Sequence, residues 1–100
     1  MSAAITHAAH RDLVEILSRI ARDNPSAARK MAKEFFRKFR LLAFQPGIGT
    51  RTRFNDTRVL AIRRNYRVLY QSPPPRLIIQ RVIHAARHWP DAELPDGLAQ

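Results

Sequence analysis

The sequence has 100 residues, of which 45% are apolar, with 18 basic residues, 8 acidic residues and no cysteine. This length fits one domain with a single core, and the apolar fraction excludes an intrinsically disordered chain. The lack of cysteine excludes disulfides and thiolate chemistry, as in a reducing cytoplasm. The sequence shows neither a signal-peptide pattern nor an apolar run long enough to span a membrane, so a cytoplasmic protein is expected.

The net charge of +10 is not spread evenly along the sequence. Between Phe35 and Pro90 there are eleven arginines and Lys38, whereas Asp56 is the one acid. One side of the protein should therefore be strongly positive, which favours nucleic acid, an anionic membrane or an acidic protein as partner. Arginine outnumbers lysine by 15 to 3, which favours bidentate contacts with carboxylate or phosphate, or equally reflects the codons of a GC-rich genome.

Two amphipathic helices are predicted in the first half of the chain. Apolar residues recur at i, i+3 and i+4 over residues 7–22, with Thr6 as the N-cap. A second apolar stripe covers residues 25–43, where Asn24 suits the cap and Pro25 the first helical position. The short connection predicts an antiparallel helical hairpin.

Beyond Gly49 the apolar period changes from 3.6 to 2, which predicts strands. Short turns separate three segments that should form an antiparallel meander. They are residues 58–64, 66–72 and 76–85, and a fourth strand is predicted less firmly by residues 51–55. The last segment is apolar on both faces, with Leu77, Ile79 and Ile83 on one side and Ile78 and Val82 on the other, so it should lie inside the sheet.

The predicted fold is therefore α+β, an N-terminal helical hairpin packed on a C-terminal antiparallel sheet. One domain should cover residues 1–90. Residues 91–100 are acidic and rich in proline, which predicts a loose tail.

Four segments, taken in order, resemble the ParE/RelE superfamily of toxins from type II toxin–antitoxin modules. They are RDLVEILSRIARDNPSAA, LLAFQPGIGT, RRNYRVLYQ and QRVIHAARHW, and the resemblance covers about residues 5–89. ARDNP in the hairpin and RVIHAAR at the end of the last strand resemble the ParE branch in particular. Family members open with a longer first strand, whereas only MSAAIT precedes the first helix here, so a short first strand is expected.

The resemblance implies a small basic toxin, without a cofactor, whose activity depends on the branch. RelE-like members cut messenger RNA in the ribosomal A site, whereas ParE-like members poison DNA gyrase. In either case an acidic antitoxin encoded beside the toxin neutralises it, and the antitoxin's C-terminal segment wraps across the toxin. The implied partners are a ParD-like antitoxin and either gyrase or the ribosome with its messenger RNA, and no membrane.

Proton carriers help to distinguish the two branches. Cleavage of RNA by 2′-OH attack needs a base, an acid and a group that stabilises the phosphorane, and arginine readily supplies only the last. Between Lys38 and Pro90, apart from Asp56, the carriers are Tyr66, Tyr70, His84 and His88.

The resemblance carries over only part of the RelE nuclease set. Arg67 matches the arginine that the RelE nucleases carry on this strand. Their paired basic residues on the preceding strand align near Val59 and Ala61, and the arginine at the end of their last strand aligns with Ala85, so these basic groups are missing here. The tyrosine that the RelE nucleases have after their last strand has no counterpart in this sequence. We therefore favour gyrase inhibition without catalytic residues, and the nuclease alternative would use the set Arg67, Arg81, His84 and Arg87.

A docking surface for the target or the antitoxin is predicted from arginines and one aromatic residue. These are Arg51, Arg53, Arg58, Arg63, Arg64, Arg67, Arg81, Arg87 and Trp89. The alternative for the arginines is a merely solvated face, and for Trp89 a lid on the core. Arg81 shares a face with apolar residues and needs a partner. It should lie at the docking groove or form an internal salt bridge with Asp12 or Glu15.

His84 is predicted on the opposite face from Arg81. Its side chain either makes a hydrogen bond that closes the strand or takes part in the functional site. His84 and His88 have i, i+4 spacing without a third ligand, so no metal site is predicted. A third hypothesis, a plain nucleic-acid-binding module, is favoured by charge alone.

Overall fold

The computed structural model describes residues 2–54 and 56–85. In chain order the elements are β1 (Ser2–Ile5), α1 (His7–Asp23), α2 (Pro25–Phe44), a 3-10 turn (Pro46–Ile48), β2 (Thr50–Arg51), β3 (Thr57–Ile62), β4 (Tyr66–Gln71) and β5 (Arg76–His84). This arrangement confirms the predicted α+β fold. The tail predicted at residues 91–100 lies outside the described residues.

Both helices begin where the sequence predicts, because each has a side-chain cap. The Thr6 hydroxyl accepts a hydrogen bond from the Ala9 N–H at 3.1 Å, and the Asn24 side chain accepts one from the Ala27 N–H at 3.0 Å. Such caps satisfy N–H groups that have no partner within the helix. No helix in the described part of the chain is long and apolar enough to cross a membrane.

The sheet has the order β1-β5-β4-β3-β2. From β2 to β5, each strand pairs antiparallel with the next one in the chain, which confirms the predicted meander. β5 lies inside the sheet, as predicted. β1 pairs parallel with β5, so the sheet is mixed rather than purely antiparallel. β1 is a short edge strand, as expected. Of the described residues in the strand predicted at residues 51–55, only Arg51 belongs to a strand, at the end of β2.

A bulge in β5 changes which residues share a face. Leu69 pairs with Arg81 and Tyr70 with Ile79, which leaves Gln80 as an extra residue. An extra residue reverses the alternation of side chains beyond it. The predicted assignment of Ile83 and Val82 is therefore wrong beyond this point.

The main core lies between the helices and the sheet. Leu77, Ile79 and Val82 of β5 belong to this cluster, together with Phe35 of α2. Phe35 packs edge-on against Tyr66, with ring centroids 5.3 Å apart. A second, smaller cluster lies on the face of the sheet away from the helices. It contains Leu69, Ile83 and Val59.

Candidate functional site

Tyr70 holds the loop that joins α2 to β2. Its hydroxyl donates a hydrogen bond to the Pro46 carbonyl at 2.7 Å and accepts one from the Gly49 N–H at 2.9 Å. The side chain is fully buried, and burial raises the pKa of the Tyr70 hydroxyl above its ordinary value. A Cβ atom at Gly49 would lie 2.4 Å from that hydroxyl oxygen. Glycine is therefore required here by close approach.

Arg58, a predicted docking residue, is bonded to the same loop. Its Nη1 atom donates to the Gly49 carbonyl at 2.8 Å and to the Gly47 carbonyl at 3.3 Å. The side chain is half-buried. Part of its hydrogen-bonding capacity therefore supports the fold.

Arg51 and Arg53 flank the start of the loop between β2 and β3. Both side chains are exposed, and within residues 2–54 and 56–85 neither has an ion-pair partner. Thr52, between them, anchors the loop, because its N–H donates to the Thr57 carbonyl at 3.1 Å and its hydroxyl lies 2.8 Å from the same oxygen. The structure therefore presents two free guanidinium groups from a hydrogen-bonded loop.

Arg63 and Arg64 occupy the turn between β3 and β4, and both are exposed. Arg63 has a φ of 54°, in the left-handed region. Arg67 is half-buried on β4, opposite Ala61 of β3 and Ile83 of β5. These three arginines lie at the end of the sheet away from Arg51.

Arg81 forms the internal salt bridge that the sequence offered as an alternative to a docking role. Its Nε atom donates to Asp12 Oδ2 at 2.8 Å and its Nη2 atom to Asp12 Oδ1 at 3.1 Å. Asp12 Oδ2 also accepts from the Val82 N–H at 2.9 Å. The two side chains are only 25% and 15% exposed. The salt-bridge alternative is therefore present in the structure, and a docking role for Arg81 stays a prediction.

The Asp12 contact follows from where β1 ends. β1 pairs with β5 only as far as Ile79. Beyond that point, Thr6 donates its hydroxyl to the Gln80 carbonyl at 2.9 Å, and Asp12 accepts from Val82. The side chains of Thr6 and Asp12 thus bond to the backbone of β5 where β1 no longer does. Sequence reasoning named Asp12 as one candidate partner but not this backbone contact.

His84 lies on the opposite face from Arg81, as predicted. In the register it pairs with Tyr66, and the two rings pack edge-to-face with centroids 5.1 Å apart. Tyr66 belongs to the core beneath the helices. In the described part of the chain no three potential ligands cluster to hold a metal ion.

The described members of the nuclease set do not all lie on one face of the sheet. Arg67 shares its face with Ile83, whereas His84, Tyr66 and Tyr70 face the helices. A sheet therefore separates the strand arginine from the described proton carriers of the second half, apart from Asp56. Arg87, His88 and Trp89 lie outside the described residues.

An apolar groove between α2 and β1 was not predicted. Its volume is about 470 Å³, and its lining includes Ala3, Ile5 and Phe36. Phe36 is 45% exposed and Phe44, at the end of α2, is 81% exposed. Large exposed aromatic side chains often mark an interaction surface. The signal was available in the sequence, because both residues fall outside the core stripe of α2.

Comparisons with known proteins agree with this geometry. The family described as "ParE toxin of type II toxin-antitoxin system, parDE" matches residues 4–89. No curated protein matches the sequence. A solved structure titled "Chromosomal ParDE TA system from P. aeruginosa" is similar in fold, with a TM-score of 0.73 and 20% identity over 84% of this chain and 95% of that chain. The chain belongs to the ParE toxin family of type II toxin–antitoxin systems.

Proposed function

We propose that this toxin inhibits DNA gyrase by binding, without acting as an enzyme, and works in the cytoplasm. The observation that carries the proposal is the separation of Arg67 from His84, Tyr66 and Tyr70 by the sheet. General acid–base cleavage needs a proton carrier within hydrogen-bond reach of the reacting group. Membership of the ParE family supports the gyrase target over the ribosome.

The proposed target surface is the set of predicted arginines that the fold leaves available. Arg51, Arg53, Arg63 and Arg64 are exposed, and Arg67 is half-buried. Arg87 and Trp89 remain proposed members of this surface. Arg58 and Arg81 contribute mainly through the loop and the salt bridge that they stabilise.

The proposed neutralising partner is an acidic, ParD-like antitoxin. The net charge of +10 favours a negatively charged partner. The groove beside Phe36 offers apolar surface for such a segment, with Arg40 at its border. An acidic segment with apolar anchors therefore fits both the charge and the groove.

The gyrase proposal is tested by adding the purified protein to a supercoiling reaction and separating the DNA on a denaturing gel. We expect loss of supercoiling and accumulation of cleaved DNA linked to protein. The variant Arg64→Gln/Arg67→Gln should weaken inhibition several-fold, whereas Arg22→Gln/Arg29→Gln, which removes two exposed charges from the helical hairpin, should not. Messenger RNA cleavage on ribosomes without any effect on gyrase would overturn the proposal.

A further inference from the structure

A polar cleft lies at the end of the sheet where β3 begins and β4 ends. Its volume is about 700 Å³, and Arg51, Arg53 and Arg58 contribute to its lining together with Thr57 and Gln71. The cleft is distant in the sheet from Arg67 and from the β3–β4 turn, because residue 57 is at the opposite end of β3 from residue 62. It is therefore separate from the Arg63–Arg64 turn.

The cleft walls are held by hydrogen bonds. The Gln71 amide donates to the Thr57 hydroxyl at 3.3 Å, and Thr57 is 1% exposed. The Thr52 hydroxyl accepts from the Phe54 N–H at 3.1 Å. Arg58 is bonded to two loop carbonyls. A site with fixed walls loses less entropy when a ligand binds.

The charge of the cleft favours an anion. Three arginines and one acid, Asp56, line it, so the lining side chains carry a net positive charge. Arg51 and Arg53 are exposed and have no ion pair with another described residue. Guanidinium groups bind phosphate through two parallel hydrogen bonds. The cleft therefore has the donors that a chain of phosphates needs.

An exposed aromatic residue on the loop that carries Arg53 favours nucleic acid over an acidic peptide. Phe54 directly follows Arg53 and is 40% exposed. Proteins that bind single strands combine cationic grooves with aromatic rings on which bases stack. We propose that this cleft binds a single-stranded nucleic acid, with Arg51 and Arg53 on its phosphates and Phe54 against a base.

The cleft shares Arg51 and Arg53 with the proposed target surface, but its binding of a strand does not require that the toxin's target is gyrase. Gyrase inhibition could be absent while the cleft binds a strand, and the reverse is also possible. A binding measurement with the protein alone therefore separates the two proposals.

The test uses fluorescence anisotropy of labelled single-stranded and duplex oligonucleotides with the full chain at several salt concentrations. Arg51→Gln/Arg53→Gln should weaken single-strand binding at least about tenfold at low salt and reduce the slope of log K against log salt by about 1.4, for two lost phosphate contacts. Phe54→Leu should weaken binding of the single strand more than of the duplex.

Two controls show whether the effect belongs to the cleft. Arg22→Gln/Arg29→Gln removes the same charge from exposed positions on the hairpin and should change binding less than about twofold. Asp56→Asn removes the acid of the cleft and should strengthen binding. Melting temperatures of all variants by circular dichroism show that they are folded.

Three results would overturn the proposal. The first is equal weakening by both double variants, because binding would then follow net charge alone. The second is displacement of the strand by poly-glutamate as effectively as by unlabelled DNA, which would assign the cleft to an acidic protein. The third is no measurable binding by the folded wild-type protein at low salt.

Discussion

Arg81 and Arg51 come from the same basic stretch between Phe35 and Pro90, but their surroundings are opposite. Arg81 makes two hydrogen bonds with Asp12 and is 25% exposed. Arg51 is exposed and has no ion pair with another described residue. The comparison teaches that the fold decides which basic side chains are paired with an acid and which stay exposed to a partner.

The largest effect should follow from removing the partner of Arg81. Asp12→Ala removes the carboxylate that accepts from the half-buried Arg81 guanidinium and from the Val82 N–H. We expect a loss of about 3 kcal/mol in the free energy of unfolding, measured with urea. Asp23→Ala removes an exposed acid from the same helix and should change stability by less than about 0.5 kcal/mol. Equal effects of the two would show that the salt bridge contributes nothing.

A smaller effect should come from the loop that supports Arg58. Gly49→Ala places a Cβ against the Tyr70 hydroxyl, and either the ring or the loop must move. We expect a loss of about 2 kcal/mol, from overpacking and weakened hydrogen bonds. Gly47→Ala is the matched control, because no atom lies within 4 Å of its added Cβ. A stable Gly49→Ala protein would mean that the loop shifts at little cost.

The same loop should give the protein a dependence on alkaline pH. The folded-state pKa of Tyr70 is raised, so its contribution is complete below the unfolded pKa, about 10, and is lost as pH rises through the folded pKa. Urea unfolding across that range should show a loss of stability that is smaller in Tyr70→Phe. Identical pH profiles for the two proteins would contradict the assignment.

The smallest effects sharpen the contrast between Arg58 and Arg51, which are paired in the register of β3 and β2. Arg58→Ala removes hydrogen bonds to two carbonyls and should cost about 1 kcal/mol. Arg51→Ala should change stability by less than about 0.5 kcal/mol, because the side chain is exposed. The same unfolding experiment measures both, and a reversed order would contradict the roles given to these residues.

The elements were predictable because their signals are local. Thr6 and Asn24 cap the helices as their types and positions indicate. Which side chains of β5 share a face was predictable only up to Gln80, because no residue type there indicates a bulge. The position of Phe36 outside the core stripe of α2 signals an exposed aromatic residue, but the apolar groove forms only where β1 lies beside it.

The sequence by itself determined the two helices, the meander, the family resemblance and the large positive charge, because each depends on periodicity, caps or composition. Only the tertiary structure decided which charges are free. The end of β1 exposes the edge of β5 to Asp12, and the position of Tyr70 under the loop brings carbonyls to Arg58. These contacts join residues far apart in the chain, and only the packing of the elements brings them within hydrogen-bonding distance.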